Sequence, residues 1–147
     1  MILGVALGFT NYLIYADFPS SALEWVQRSV QSPYVFLLML NVFLLVVGCL
    51  MDIYSAIIVV VPLITPMAEA YHIDPVHLGI VFLANLELGY LTPPVGMNLF
   101  LASYRLNKPM PEVYRAAVPM ILVLLAGVLV ITYCPPMTTL LPHWFGK

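Results

Sequence analysis

Charge is what this chain has least of. Its 147 residues include 5 Lys and Arg and 7 Asp and Glu, 8% charged in all. A soluble domain carries about 25% and needs it to cover its surface, so a water-exposed globule is excluded. The few charges are also clustered, and between Arg28 and Glu69 the one charged side chain is Asp52. A net charge of −2 offers no basic field for nucleic acid. Cysteine is nearly missing as well. Cys49 and Cys134 lie too far apart for a metal-ligand spacing and both fall in apolar runs, where they read as small buried apolar residues. No Lys or Arg precedes the opening run MILGVALGFTNYLIY, so it lacks the charged start of a signal peptide and reads as the end of a helix. The chain is therefore expected to be the C-terminal part of something longer.

What is present is 63% hydrophobic. Apolar runs cover roughly 1–16, 34–51, 53–68, 76–91 and 116–134, each near or just below the ~20 residues of a spanning helix. The composition and the runs predict an all-α, polytopic membrane protein. Arg105, Lys108 and Arg115 crowd one short connection, which the positive-inside bias puts in the cytoplasm. The final helix, 116–134, then runs outward, the C-terminus lies on the outer side with His143 and Trp144 at the interface, and 76–104 enters from outside. Residues 19–32, PSSALEWVQRSVQS, place Leu23, Val26 and Val30 on one stripe and Glu24, Gln27, Arg28 and Gln31 on other faces. That pattern predicts an amphipathic interfacial helix, with a soluble-facing linker as the alternative.

Residues 34–70 hold two apolar arms joined by CLMD. Two full crossings need roughly 40 residues plus a connection, more than the block contains. Each arm reaches only ~22–27 Å at the helical rise. A re-entrant hairpin and two tilted spans both fit. Non-helical backbone at that depth requires surrounding protein or a water-filled cavity.

Asp52 then needs an explanation. At a hairpin tip it is a carboxylate deep in the membrane, where insertion scales charge it about 2.5–3.5 kcal/mol. The flanking basic residues, Arg28 and Arg105, are remote in sequence. Asp52 is expected to hold a cation or a proton, or else to lie in an ordinary loop between two spans. Pro62 and Pro66 each remove one helical hydrogen bond, to the carbonyls of Ile58 and Pro62, and read as structural kinks.

The stretch 85–98, NLELGYLTPPVGMN, carries the densest signal. Pro93 and Pro94 release the carbonyls of Gly89 and Tyr90 from helical bonding, and Gly89 and Gly96 permit non-helical backbone on either side. The span divides into half-helices near 76–88 and 96–104. Transporters build midplane sites this way, with half-helix N-termini facing anionic groups and unwound carbonyls coordinating Na⁺. Thr92 and Asn98 add oxygens suited to a hard cation. Asn85, Gly89, Thr92 and Gly96 would share one face even of a continuous helix, with Glu87 on the other side. A proline-kinked anchor is the plainer alternative. His72, Asp74 and His77, in YHIDPVHLG, read as a polar outer loop, because Pro75 disrupts a shared helical face for a metal. No Ser, His and Asp arrangement supports nucleophilic catalysis, and GCLMD lacks the Gly-x-Gly-Asp of an intramembrane aspartyl protease. An enzyme is not expected.

Residues 48–103, from GCLMD through LTPPVGMNLFLAS, closely resemble the large membrane subunit of tripartite ATP-independent periplasmic (TRAP) transporters. The shared features are Gly48 and Asp52 at a tip, Pro62 and Pro66 on the return arm, Asp74 to Gly79 at a turn, and Gly89 to Gly96 at the helix break. The resemblance implies an ion-transporter-superfamily repeat with a re-entrant helical hairpin (34–70) and a broken transmembrane helix (76–104). Residues 1–147 would be the C-terminal inverted repeat of an elevator-type carrier. It implies Na⁺ as coupling ion, with H⁺ open, and import of a small organic anion such as a C4-dicarboxylate or sialic acid across a bacterial inner membrane. The implied partners are a periplasmic substrate-binding protein, a small four-helix membrane subunit and the N-terminal repeat of the same carrier. Carried over, Gly48, Asp52, Thr92, Pro93, Pro94 and Asn98 would meet substrate, and Asp52, Gly89, Thr92 and Gly96 would hold Na⁺. The competing class is a non-transporting structural fragment or accessory membrane subunit.

Overall fold

The computed structural model describes residues 32–93 and 96–145, together with positions 4, 8, 11, 12, 15, 24, 26, 28 and 30; of 141–143 and 145 it describes the backbone alone. The expected segments 1–16 and 19–32 lie outside the continuously described residues, as does Pro94. The chain is an all-α polytopic membrane protein. Its continuously described helices are α1 (Pro33–Leu50), α2 (Ile53–Ala70), α3 (Pro75–Gly89), α4 (Met97–Leu106), α5 (Met110–Tyr133) and α6 (Pro136–Phe145). Among the described residues α1, α2 and α5 are long and apolar enough to cross a membrane.

Local chemistry sets most of the ends. Pro33 and Pro75 open α1 and α3 at positions where a missing N–H costs nothing. Asp52 and Asp74 cap α2 and α3 with their carboxylates, satisfying amides that have no partner in the first turn. α2 continues through Pro62 and Pro66, as spanning helices can when neighbours support the backbone. α2 ends at Tyr71, after which His72 adopts a left-handed φ of 56°. Pro109 and Pro111 favour a helix start, so α5 begins at Met110 rather than at the expected 116. Lys108 and Glu112, 3.4 Å apart and exposed, bridge that start. Two expectations are corrected here. Cys134, read as a buried apolar residue, is exposed at the α5–α6 corner, where Pro135 and Pro136 end one helix and start the next.

His77 is the second. It was expected in a polar loop, but Pro75 occupies the first helical turn instead of breaking a helix, and His77 is buried within α3.

α1 and α2 run antiparallel, since the Phe36 ring stacks on Tyr71 at a centroid distance of 4.5 Å. α1 and α3 run side by side in the same direction and share the most extensive interhelical contact. The apolar core joins Leu40, Leu44 and Val47 of α1, Ala56, Val60 and Ile64 of α2, and Phe82 and Leu86 of α3. The end of α5 returns to the start of α1, with the Tyr34 and Tyr133 rings 6.3 Å apart. One end of the bundle therefore gathers the start of α1, the end of α2, the start of α3 and the α5–α6 corner. The α1–α2 turn and the α3–α4 break share the other.

A polar seam crosses the apolar core. Asn41, Asn85 and Thr132 are all at most 3% exposed. Asn85 Nδ2 donates to Asn41 Oδ1 and to the Val81 carbonyl, Asn41 Nδ2 donates to the Leu37 carbonyl, and Thr132 Oγ1 lies 3.1 Å from Asn41 Oδ1. These bonds tie α1, α3 and α5 together. Asn41→Ala is expected to destabilise the bundle by about 1–2 kcal/mol in a detergent unfolding titration followed by helicity. The paired change Asn41→Leu with Asn85→Leu should cost less than Asn41→Ala alone, because it strands no buried donor.

Candidate functional site

The α1–α2 turn consists of Met51 and Asp52. Met51 N–H still donates to the Val47 carbonyl, closing α1. Asp52 then turns extended, with φ −75° and ψ 158°. Its Oδ2 accepts from the backbone N–H groups of Tyr54 at 3.0 Å and Ser55 at 3.1 Å, and its Oδ1 accepts from Ser55 Oγ at 2.6 Å. The positive end of the α2 dipole favours a carboxylate here. The cap uses Oδ2 more fully than Oδ1, which keeps an acceptor position for a second donor or a cation.

The break follows α3. Leu91 N–H donates to the Leu88 carbonyl and Thr92 N–H to the Gly89 carbonyl, so the helix tightens as it ends. Thr92 Oγ1 donates to the Leu88 carbonyl at 2.8 Å. The chain resumes at Gly96 with φ 49° and ψ 69°, a left-handed conformation natural to glycine. An added Cβ there would also stand 3.1 Å from the Thr92 carbonyl oxygen. Asn98 N–H donates back to the Tyr90 carbonyl at 3.3 Å. The carbonyls of Gly89 and Tyr90, expected to be released by the two prolines, thus each accept one new hydrogen bond. A carbonyl has two lone pairs, and among the described residues each of these accepts that one bond.

Turn and break are in direct contact. Gly48 and Gly89 touch backbone to backbone, because a Cβ on Gly89 would lie 2.7 Å from Gly48 C and Cα. Next to them the Cys49 thiol lies 3.5 Å from the Thr92 carbonyl oxygen and 3.7 Å from that of Pro93. A thiol is a weak donor, so among the described residues these two carbonyls have only a light partner. The Tyr90 side chain lies within electrostatic range of Asp52 and Glu87.

Gly48, Gly89, Thr92, Pro93 and Gly96 therefore meet around one junction, and Tyr90 links it to the start of α2 beside Asp52. Asn98 is exposed on the first turn of α4. Asn85 is buried in the seam, and Glu87 is exposed. Reasoning from sequence missed Cys49, Tyr90, Asn41 and Thr132. Asn41 had a signal: an amide inside a membrane-length apolar run has to find a partner. Among the described residues no group of three or more His, Cys, Asp or Glu is placed to hold a metal. The junction offers carbonyl and hydroxyl oxygens, and the Asp52 carboxylate stands at the neighbouring start of α2, oxygen types that suit a hard cation.

Residues 1–137 match the family model described as the tripartite ATP-independent periplasmic transporter, DctM component. The chain belongs to the DctM family. Among its relatives is the C4-dicarboxylate TRAP transporter large permease protein DctM of Pseudomonas aeruginosa, 38% identical over 99% of this chain and 34% of that protein. The isethionate TRAP transporter permease protein DctMQ of Oleidesulfovibrio alaskensis is 33% identical over 92% of this chain and 21% of its own length. The sialic acid TRAP transporter large permease protein SiaM of Vibrio cholerae is 31% identical over 99% of this chain and 34% of its own. The chain thus spans about a third, or less, of these DctM-family relatives, which are transporter permeases rather than enzymes.

Proposed function

We propose that this chain forms the C-terminal repeat of a Na⁺-coupled carrier that imports small organic anions. A periplasmic binding protein delivers the anion, and a small membrane subunit braces the permease in the bacterial inner membrane, with the C-terminus periplasmic. The carrying observation is the junction itself. A two-residue turn and a broken helix meet backbone to backbone at Gly48 and Gly89, with the Cys49 thiol against the Thr92 and Pro93 carbonyls beside them. The re-entrant reading draws support from length. α1 has 18 residues and α5 has 24, about 27 and 36 Å at the helical rise. Sharing one end, they leave the turn about 9 Å short of the far end of α5.

In this reading Na⁺ takes oxygens from Asp52, Thr92 and the carbonyls near Gly89 and Gly96. The substrate carboxylate meets the start of α4, the positive end of a helix, which has no side-chain cap. Asn98, on that first turn, is available to the same anion. The substrate class rests on the relatives' names, which specify a C4-dicarboxylate, isethionate and sialic acid.

The test is uptake by the whole carrier, reconstituted in vesicles with its binding protein and small subunit. Labelled C4-dicarboxylate, isethionate and sialic acid are offered in turn. An inward Na⁺ gradient is expected to drive accumulation of one of them, and an equal K⁺ gradient is not. Accumulation driven equally by a proton gradient without Na⁺ would replace Na⁺ by H⁺ in the reading. No Na⁺-dependent accumulation of any organic anion would overturn it.

A further inference from the structure

We propose that one face of α3, formed by Val76, Ile80, Leu83 and Glu87, docks against the part of the carrier that lies outside these 147 residues. The docking element is a helix that offers Glu87 a Lys or Arg side chain at the middle of the membrane. This rests on the reading of the chain as one repeat of a longer carrier, and on neither its coupling ion nor its substrate. The four residues recur at spacings of four, three and four, which lines them up along one side of a helix. Leu83 is 49% exposed and Val76 44%, Glu87 is exposed, and Ile80 is partly so. The other sides of α3 are occupied: Leu78, Phe82 and Leu86 join the apolar core, and Asn85 joins the polar seam. Beside the open face, Gly79 has nothing within 4 Å of an added Cβ, which lets a neighbouring helix come close.

Glu87 is the charged residue of this face, and its depth decides what can cover it. His77, in the first turn of α3, meets Thr132 and Thr138 at the α5–α6 corner. Glu87 lies twelve residues after Pro75, about 18 Å along the helix. α5 runs back from the same corner for 24 residues, about 36 Å. Glu87 therefore stands near the midpoint of the spanning bundle, roughly 15 Å from either edge of a ~30 Å hydrocarbon core. A glutamate side chain is too short to reach water from there. Charged side chains at that depth face protein or a water-filled cavity rather than lipid.

Among the described residues no ion pair reaches Glu87. The pairs there join Arg28 to Glu24 and Lys108 to Glu112, and Arg105, Lys108 and Arg115 belong to the α4–α5 connection and its flanks. Asp52 adds to the negative field, since it and Glu87 both lie within electrostatic range of Tyr90. A water-filled passage would need polar walls, whereas Val76, Ile80 and Leu83 lead up to Glu87 as an apolar stripe. A cation carried on an apolar helix matches both parts of this face at once. Its apolar side chains pack on the stripe, and its charge meets the carboxylate. The chain spans 34% of its Pseudomonas aeruginosa DctM relative, so most of such a carrier lies outside these residues and can supply that helix.

The experiment places a photoreactive benzophenone amino acid at Leu83 in the whole carrier, reconstituted with its small subunit in lipid vesicles, and maps the adduct by peptide mass spectrometry. The expected adduct is a peptide of the same polypeptide from outside residues 1–147, with a Lys or Arg within about one helical turn of the attachment point. A lipid adduct or none, a peptide of the small subunit, a peptide from within these 147 residues, or one without a Lys or Arg would each overturn the proposal. The second measurement is thermal unfolding of Glu87→Leu. Removing one partner of a buried ion pair strands the other, so the midpoint should fall by about 3 °C or more. Replacing the stranded Lys or Arg by Leu as well should recover most of the loss. On a lipid-covered face the same change removes an unfavourable charge and raises the midpoint, so an unchanged or raised midpoint would overturn the proposal. The cross-link keeps Glu87 in place and decides the matter even if Glu87→Leu fails to fold. Failure of the carrier reading shows separately, as a native product of 16.3 kDa, the mass of this chain alone.

Discussion

Asp52→Asn in the whole carrier is expected to abolish Na⁺-dependent uptake while the bundle stays folded. The two roles of Asp52 separate cleanly at this substitution. As a cap, it accepts from the amides of Tyr54 and Ser55 and from the Ser55 hydroxyl. Asparagine caps a helix about as well as aspartate, so α2 should keep its start. As a cation ligand, Asp52 contributes the formal negative charge at the turn, which asparagine lacks. Breaking a partly enclosed charge interaction by removing one partner costs about 3 kcal/mol or more, so Na⁺-driven uptake should fall by roughly 100-fold or beyond. Asp52→Ala should show the same loss of uptake and, in addition, lower stability by about 0.5–2 kcal/mol through loss of the cap. The measurement is initial uptake against Na⁺ concentration, with helicity and membrane insertion checked in parallel. Native uptake and native Na⁺ dependence in Asp52→Asn would leave Asp52 as a cap and nothing more.

The parts legible in the sequence were those set by near neighbours. Gly89, Pro93, Pro94 and Gly96 concentrate backbone-breaking chemistry within about two helical turns. The parts that were not legible depend on which helix lies beside which. Nothing in the local pattern says that Asn85 faces Asn41, 44 residues away, because a single apolar run gives no rotation about its axis when almost every position is apolar. The same blindness hid Thr132, and it hid the engagement of Cys49 with the Thr92 and Pro93 carbonyls, which exists only once α1 lies along α3. His77 was misread for a different reason. Pro75 looked like a break, yet at the first helical position it is a start, and the whole local chemistry changes with that one register. Hydropathy alone puts Cys134 inside, because it cannot distinguish a side chain facing protein from one facing outward in a membrane protein.

Gly89→Ala is expected to be the most damaging of the single-methyl changes, and the contrast with other glycines makes it informative. A Cβ at Gly89 would stand 2.7 Å from two backbone atoms of Gly48, which cannot rotate away as a side chain would. Relief requires α1 and α3 to separate, and overpacking of this kind typically costs about 1–3 kcal/mol. A Cβ at Gly48 meets Gly89 Cα and Leu86 backbone at 3.1 Å, so Gly48→Ala should fall short of Gly89→Ala. Gly79 and Gly127, by contrast, have nothing within 4 Å of an added Cβ. Alanine at either should be neutral or stabilising by up to about 1 kcal/mol, since glycine is a poor helix residue. The separation forced by Gly89→Ala would also pull Cys49 from the Thr92 and Pro93 carbonyls and open the junction on which the proposed site depends. Unfolding midpoints and uptake should therefore fall together for Gly89→Ala, whereas Asp52→Asn should lower uptake alone. Equal stability of Gly89→Ala and Gly127→Ala would mean that the two helices do not meet backbone to backbone, and the junction would lose its physical basis.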